Sequence, residues 1–300
     1  METGSFEEVA AGVRRLVAPN PSPMTGYGTN SYVIGASGNL LVVDPGPAIA
    51  GHMDALLSLH SAKSRIAAIV VTHAHLDHSQ AAPMISRQTG APTLALGAAG
   101  EARSELMRAL AQQGLSHGGE GIDRNFRPDE RLVAGQILSG DWGELEVMHT
   151  PGHMAEHICL RFGDILFSGD HAMGWSTSLV SPPDGDMGSY LASLRALLLR
   201  DWQLMLPGHG NAVRHVSQRL EELLEHRLER EQQIARALSH APADCATLAK
   251  RIYTETPAAL LPAAARNILA HLIDLYSRNV VSCSGTITNN TVFSLQTQEP

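Results

Sequence analysis

The feature that most restricts how this chain can fold is a short apolar, β-branched run at residues 66–71. It stops abruptly at Thr72-His73-Ala74-His75-Leu76-Asp77-His78. A run that is apolar throughout, instead of at alternate positions, reads as a strand covered on both faces. The sheet holding it therefore needs packed layers on each side. The strand ends in three imidazoles and a carboxylate on one loop. Neutral imidazole nitrogen and carboxylate oxygen suit zinc, iron or manganese, and not calcium. Solvated polar loops contain His and Asp too, but His-x-His-x-Asp-His at the end of a buried strand rarely arises that way.

The first 210 residues repeat this alternation of short strands and helices. Strands are expected at 30–34 and 40–43, with Asp44-Pro45-Gly46 ending the second, followed by a helix at 49–62. A helix at 78–89 follows the cluster, with Asp77 placed to cap it. Then come a strand at 92–96, a helix at 102–113 and a Gly-rich stretch, 114–125, read as a mobile surface loop. The second half has strands at 136–139, 145–149, 157–162 and 165–168, a helix at 189–199 and a strand at 204–206. Two similar halves suggest two packed sheets with helices outside. From about residue 215 the pattern changes to one long amphipathic helix, 216–238, with apolar positions at Leu220, Leu223, Leu224, Leu228 and Ile234. Helices at 246–253 and 261–279 and strand-like pieces at 280–283 and 291–294 complete the order of a small winged-helix domain. The division expected is 1–214 and 215–300, with the long helix bridging.

Four ligands do not fill two metal sites, so further ligands are expected at other strand ends. His153 follows one strand in Thr150-Pro151-Gly152-His153, Asp170 another in Ser168-Gly169-Asp170-His171, and His209 the last in Pro207-Gly208-His209-Gly210. Each alone is an ordinary turn residue. Three at strand-to-loop switches, in a chain with 15 histidines against 22 Lys+Arg, are a strong set together.

With Asp44, these motifs resemble the metallo-β-lactamase fold superfamily over residues 11 to 213. The resemblance implies an α/β fold, a four-layer αββα sandwich, followed here by a winged-helix-like C-terminal domain. It implies that His73, His75 and His153 hold one transition-metal ion, that Asp77, His78 and His209 hold a second, and that Asp170 bridges them. The ions would be zinc, with iron or manganese as alternatives, and Asp44 would orient ligands without binding metal. Asp at position 170 and the absence of an export signal resemble the glyoxalase II-like branch, whereas β-lactamases proper are secreted and do not normally place Asp there. Met173-Gly174-Trp175-Ser176-Thr177-Ser178, Ser181-Pro182-Pro183-Asp184-Gly185-Asp186 and the helical tail are most similar to lactamase-beta-2-like hydrolases. The basic glutathione-binding residues of glyoxalase II have no counterpart.

A two-ion site implies hydrolysis by activated water. Asp77 is then a ligand and the proton acceptor, and His171 a candidate donor to the leaving group, with a packing role the competing reading. His149 and His157 read as structural or ligand-orienting. Trp175, Ser176 and Tyr190 are candidates to line a substrate pocket, with ordinary packing an equal reading for each. Three function classes follow: hydrolysis of a small ester or acyl-CoA-like thioester, metal-dependent endoribonuclease, or a non-enzymatic binding protein with a degenerate site. The intact ligand set disfavours the third. A net charge of −8 and a balance of four against four in the tail disfavour nucleic acid: Lys250, Arg251, Arg266 and Arg278 face Asp244, Glu255, Asp274 and Glu299.

A hydrophobic fraction of 44% is enough for a sizeable core, and apolar runs such as 66–71 and 197–199 are too short to cross a bilayer. The acidic N-terminus has no apolar stretch of the secretory kind. Cys159, Cys245 and Cys283, odd in number and widely spaced, point to a reducing compartment and a cytoplasmic protein, possible as a homo-oligomer. Asn289-Asn290-Thr291 then matches a glycosylation acceptor by chance.

Overall fold

The structure, a computed structural model, describes residues 3–116 and 121–296. One sheet follows chain order: β1 (Phe6–Ala10), β2 (Val13–Val17), β3 (Asn30–Ile34), β4 (Gly38–Val43), β5 (Ser64–Val70), β6 (Thr93–Ala95) and β7 (Glu130–Arg131). It is antiparallel up to β4 and parallel from β4 to β7. Parallel neighbours need crossovers. These are supplied by α1 (Ala50–Leu57), by α2 (Leu76–Ser79) with α3 (Ala82–Thr89), and by α4 (Glu105–Gln112). The second sheet comprises β8 (Ile137–Gly140), β9 (Gly143–His149), β10 (Ile158–Phe162), β11 (Ile165–Gly169) and β12 (Leu204–Pro207), in the order β12-β11-β10-β9-β8. Its one parallel pair, β11 with β12, is joined by α5 (Met187–Leu198).

Successive side chains of a strand leave on opposite faces, and here both faces are covered. Tyr32, Ile34, Leu41, Val43 and Val70 meet Val147, Leu160, Phe167 and Leu206 between the sheets. Their neighbours Val33, Leu40, Val42 and Ile69 pack outward against Leu56 of α1 and Ile85 of α3. On the far side, Cys159, Leu166 and Met205 pack against Tyr190, Leu194 and Leu197 of α5. The result is the expected αββα sandwich. The hairpin β1–β2 went unread in the sequence because its alternation is masked by charge. Glu7 pairs in register with Arg15, and Glu8 with Arg14, at the edge of the sheet, where charged strands block further pairing.

The C-terminal part is α6 (Val216–His240), α7 (Cys245–Ile252), α8 (Leu261–Ser277) and a hairpin of β13 (Val281–Cys283) with β14 (Phe293–Leu295). Asp244 caps α7 by accepting the amide of Thr247. The core of this part crosses residue 214. Met107, Leu110 and Leu115, from α4 and just beyond it, join Ile234, Leu248, Leu269 and Phe293. In addition, Val216, Leu220 and Leu223 of α6 close over α5. The stretch Ala258–Ser277 is long and apolar enough for a membrane span by length and composition, which the reading of apolar runs overlooked. Half of it is buried inside the chain, where Ile268, Leu269, Leu272 and Ile273 of α8 form core.

Candidate metal centre

Five of the seven candidate ligands lie in the turns that follow strands, and Asp77 and His78 lie in the short helix α2 just after β5. The turn after β5 does not start one long helix. Two short helices replace it, α2 and α3, and the first is capped at His75 without a side-chain bond. Asp77 therefore is not a helix cap. It lies in the first turn of α2, with its Oδ2 accepting from Thr29 Oγ1 at 2.8 Å. Asp44, which ends β4, has φ +49°, a conformation that costs a non-glycine residue free energy and tends to occur where function requires it.

His73, His75, His153 and Asp170 each offer one ligand atom within 4.8 Å of the others, as do Asp77, His78 and His209. His75 Nδ1 lies 3.0 Å from His73 Nε2 and 3.1 Å from His153 Nε2. Zinc–nitrogen bonds of about 2.0–2.1 Å in a tetrahedron put ligand nitrogens roughly 3.3 Å apart, so the three converge as a metal would require. In the second group Asp77 Oδ2 lies 3.5 Å from His78 Nε2 and 3.4 Å from His209 Nε2. Asp170 stands between the groups. Its Oδ1 is 3.4 Å from His78 Nε2, and its Oδ2 is 3.2 Å from His209 Nε2 and 3.8 Å from His153 Nε2.

The far side of the rings fixes which nitrogen faces inward. Thr72 Oγ1 donates to Asp44 Oδ2 at 2.7 Å, which leaves it to accept from His73 Nδ1 at 3.0 Å. Asp44 Oδ2 accepts from His78 Nδ1 at 2.9 Å, the Leu179 carbonyl from His153 Nδ1 at 2.6 Å, and the Gly28 carbonyl from His209 Nδ1 at 3.2 Å. With Nδ1 protonated, each Nε2 carries a lone pair toward the centre, as metal-ligating histidines do. Buried His78 Nε2 and Asp170 Oδ1 have no hydrogen-bond partner among the described residues, which natural structures rarely leave unexplained. The donor set fits metal cations, which would satisfy both atoms.

The electrostatics divide the two groups. Burial works against charge on His78 and His209, but Asp77, Asp170 and Asp44 raise His78 and Asp170 raises His209, so positive charge is favoured at that group. The rings of the first group are lowered instead. Burial, then the His78 and His75 rings, hold His73 well below the ordinary imidazole value, and burial with His153 takes His75 to about 3. These rings are neutral, the form that binds a cation. Burial works against charge on Asp170, but His209 and His78 outweigh it and hold the carboxyl well below the usual range.

The other candidates separate. His171 is sealed, 0% exposed, with its ring 5.7 Å from that of His157 and 4.6 Å from that of Tyr190. Burial lowers it to about 3. A ring enclosed in this way has no route to a leaving group, and the packing reading is the one the geometry favours. Tyr190 is likewise in the core, between His171 and Arg227. Its side chain on α5 is turned into the core. Trp175 is 46% exposed and lies against Gly26 and Gly210 beside an open cavity of about 410 Å³. Ser176 is half-buried, its carbonyl accepting from Arg219. His149 donates to the Ala155 carbonyl, and His157 pairs with Thr150. A small cleft directly over His75 and His153 is lined by Ile122, Met154, Leu179, Ser181 and Asp184. The sequence reading had Ser181 and Asp184 only as part of a motif and missed Ile122, Met154 and Leu179, none of which carries a motif of its own. The expected loop 114–125 lies partly outside the described residues. Its described end is docked: the Gly121 carbonyl accepts the Leu76 amide, Ile122 bridges to His75, and buried Asp123 accepts from Ser79. Thr72, Thr29 and the carbonyls of Gly28 and Leu179 were missed as well. Only Thr72, adjacent to the cluster, had a signal in the sequence.

Residues 24–209 match the family described as the metallo-beta-lactamase superfamily, and residues 245–287 match the beta-lactamase associated winged helix domain. The chain is 29% identical over 286 residues to a beta-lactamase-like protein 2 homolog of Drosophila melanogaster, covering 89% of this chain and 88% of the relative. It is 27% identical over 270 residues to an atrochrysone carboxyl ACP thioesterase of Aspergillus fumigatus, covering 88% and 76%. A crystal structure of a beta-lactamase domain protein from Burkholderia ambifaria superposes with a TM-score of 0.79 at 22% identity, over 98% of this chain and 94% of that one.

Proposed function

Because this chain belongs to the metallo-beta-lactamase superfamily, we propose that it is a two-metal hydrolase acting on a small ester or thioester, with an acyl-CoA-like compound as the substrate class. The observation that carries the substrate class is the cleft over His75 and His153. It is small, walled by Ile122, Met154 and Leu179, and has no lysine or arginine among its described lining residues. At about 10 Å³ the cleft has room for about one water, so its apolar wall would meet only the reacting end of an acyl group, and a phosphate backbone would require cations. The thioesterase name of the fungal relative supports the same class.

One ion would sit on His73, His75 and His153, the other on Asp77, His78 and His209, with Asp170 shared; nitrogen and carboxylate donors of this kind suit zinc, and iron or manganese after it. Two ions held there would lower the pKa of a shared water toward about 7 and take up charge developing on the carbonyl oxygen. The protein's own part is orientation and proton transfer. Asp77 has 27% of its side chain exposed, more than Asp170 with 10%. Its Oδ2 is steadied by Thr29, and Asp77 would take the proton from attacking water. Leu179 and Met154 would wall the reacting end of the acyl group from solvent.

The nuclease reading lacks a grip. In a winged helix the last helix is the element expected to meet nucleic acid, yet α8 buries Ile268, Leu269, Leu272, Ile273 and Leu275. Its flanking Arg278 is occupied by Glu231 and Asp274. The test is turnover of short- and medium-chain acyl thioesters by zinc-loaded protein, beside cleavage of a generic single-stranded RNA. Chelator-sensitive thioester hydrolysis is expected. RNA cleaved faster than any thioester would overturn the assignment and leave the metal ligands unaffected.

A further inference from the structure

The segment 178–182 performs two tasks at the centre. The carbonyl of Leu179 holds Nδ1 of the ligand His153 at 2.6 Å. Leu179 and Ser181 also form part of the cleft wall. Within the catalytic part Val180 packs with Leu166 and Tyr190, and the Gly185 amide donates to the Ser181 carbonyl. The C-terminal helices hold the segment from the other side. Arg227 of α6 donates through Nη2 to the Ser178 carbonyl and through Nη1, at 3.4 Å, to Asn267 Oδ1. Asn267 Oδ1, on α8, accepts the Val180 amide at 3.0 Å. Arg266, one residue earlier, donates to Ser181 Oγ at 2.9 Å and to the Pro182 carbonyl. Ser178, Val180, Ser181 and Pro182 are thus all tied to α6 or α8. Ser178 Oγ in turn donates to the carbonyl of Asp170, the shared ligand.

Arg227 is an unusual residue to find in this place. It is 1% exposed, and among the described residues no carboxylate pairs with its guanidinium. Its neighbours are carbonyl oxygen, amide oxygen and the face of Tyr190, 5.2 Å from the ring centroid. A buried cation costs free energy unless its donors are used and its charge is met. Helix packing alone is served by leucine at such a position. What an arginine adds is a rigid fork that reaches two acceptors at once.

We infer that Arg227, with Asn267 and Arg266, forms a clamp by which the C-terminal helices hold segment 178–182 and thereby orient His153 for the metal on the first site. Arg227 and Asn267 are positioning residues acting through the Leu179 carbonyl. The C-terminal part is then a component of the metal centre, not an appended module. This rests on the two-ion reading of the site.

The experiment compares wild-type protein with Arg227→Met, Asn267→Ala and a control, Leu248→Ala, which removes apolar volume from the C-terminal core without touching the clamp. Zinc affinity is measured by competition with a chromophoric chelator. Amide hydrogen exchange at residues 178–181 is measured in metal-free protein. The wild type is expected to take up two ions. Arg227→Met and Asn267→Ala are expected to lose about 10–100-fold in one of the two binding steps, the range seen when a ligand's supporting partner is removed, and to exchange faster at 178–181. Leu248→Ala is expected to lower the denaturation midpoint with both zinc steps unchanged. Should Arg227→Met fail to fold, Asn267→Ala, at a half-buried position, decides the matter. Folded clamp variants that bind both ions as the wild type does would overturn the clamp alone. A wild-type protein that binds no zinc would remove the two-ion reading and the clamp with it.

Discussion

A methyl group added at Gly208 would sit 2.3 Å from Asp170 Oδ1 and 2.7 Å from His78 Cε1. No neighbour there can yield without moving a ligand, because His78 is tied to Asp44 and Asp170 lies between both ligand groups. Gly208→Ala is therefore expected to keep native far-UV circular dichroism while metal content, by elemental analysis, falls well below two per chain. Full metal content in that variant would show that the centre is looser than these distances imply. Asp170→Ala is expected to empty both sites, since one carboxylate faces both groups and its loss leaves two cations unscreened. Asp44→Ala removes only the acceptor that orients His78 and Thr72. A milder loss, about 10–100-fold in affinity, is expected from the same titration. If Asp44→Ala proved the more damaging of the two, the shared position of Asp170 would be wrong.

At the scale of elements, α6 is the piece on which the two halves of the chain depend. Its N-terminal turns bury Leu220 and Leu223 against α5, and its C-terminal turns bury Ile234 and Leu238 with α4 and α8. Leu223 is 1% exposed, and Leu223→Ala is expected to cost about 2–5 kcal/mol in urea unfolding, the range for a leucine cavity in a packed core. Truncation after residue 214 uncovers Met187, Leu194 and Leu197 on one side and Met107 and Leu110 on the other. An exposed apolar area of that extent drives association. The truncated chain is expected to aggregate, as light scattering would report. A monodisperse truncated protein with two bound metals would contradict both the shared core and the clamp.

For the whole molecule, the centre is a point where stability and function meet. Five buried imidazoles and a buried carboxylate converge, and anything that binds them only in the folded state stabilises the fold. An ion at a hundred times its dissociation constant adds about 2.7 kcal/mol. Exhaustive chelation is accordingly expected to lower the melting temperature by several degrees and to abolish hydrolysis together. An unchanged melting curve with activity intact would remove the metal requirement. Net charge of −8 and a buried α8 further lead us to expect weak binding of duplex DNA and single-stranded RNA. Tight binding that falls steeply between low and moderate salt would reveal a phosphate-gripping face.

The sequence by itself determined most of the strands and the places of the seven candidate ligands after them, because these are encoded locally, and the resemblance those motifs carry implied the sandwich. A strand apolar at every position must be covered twice, and a ligand must follow a strand directly to be held rigid, as His73 follows β5 and His209 follows β12. The charged hairpin β1–β2 escaped because its arginines and glutamates mask its alternation. The break between α2 and α3 escaped because helical periodicity continues through it. Only the tertiary structure decided what sits around the ligands. Thr29 meets Asp77 across 48 residues and Leu179 meets His153 across 26, and neither separation leaves a mark in composition or period. It also decided which way side chains turn: Tyr190 and His171 face inward, since α5 is packed from both sides, and Arg227, which reads in the sequence as one more charge on a solvated helix, is buried where α6 meets the segment that carries the His153 acceptor.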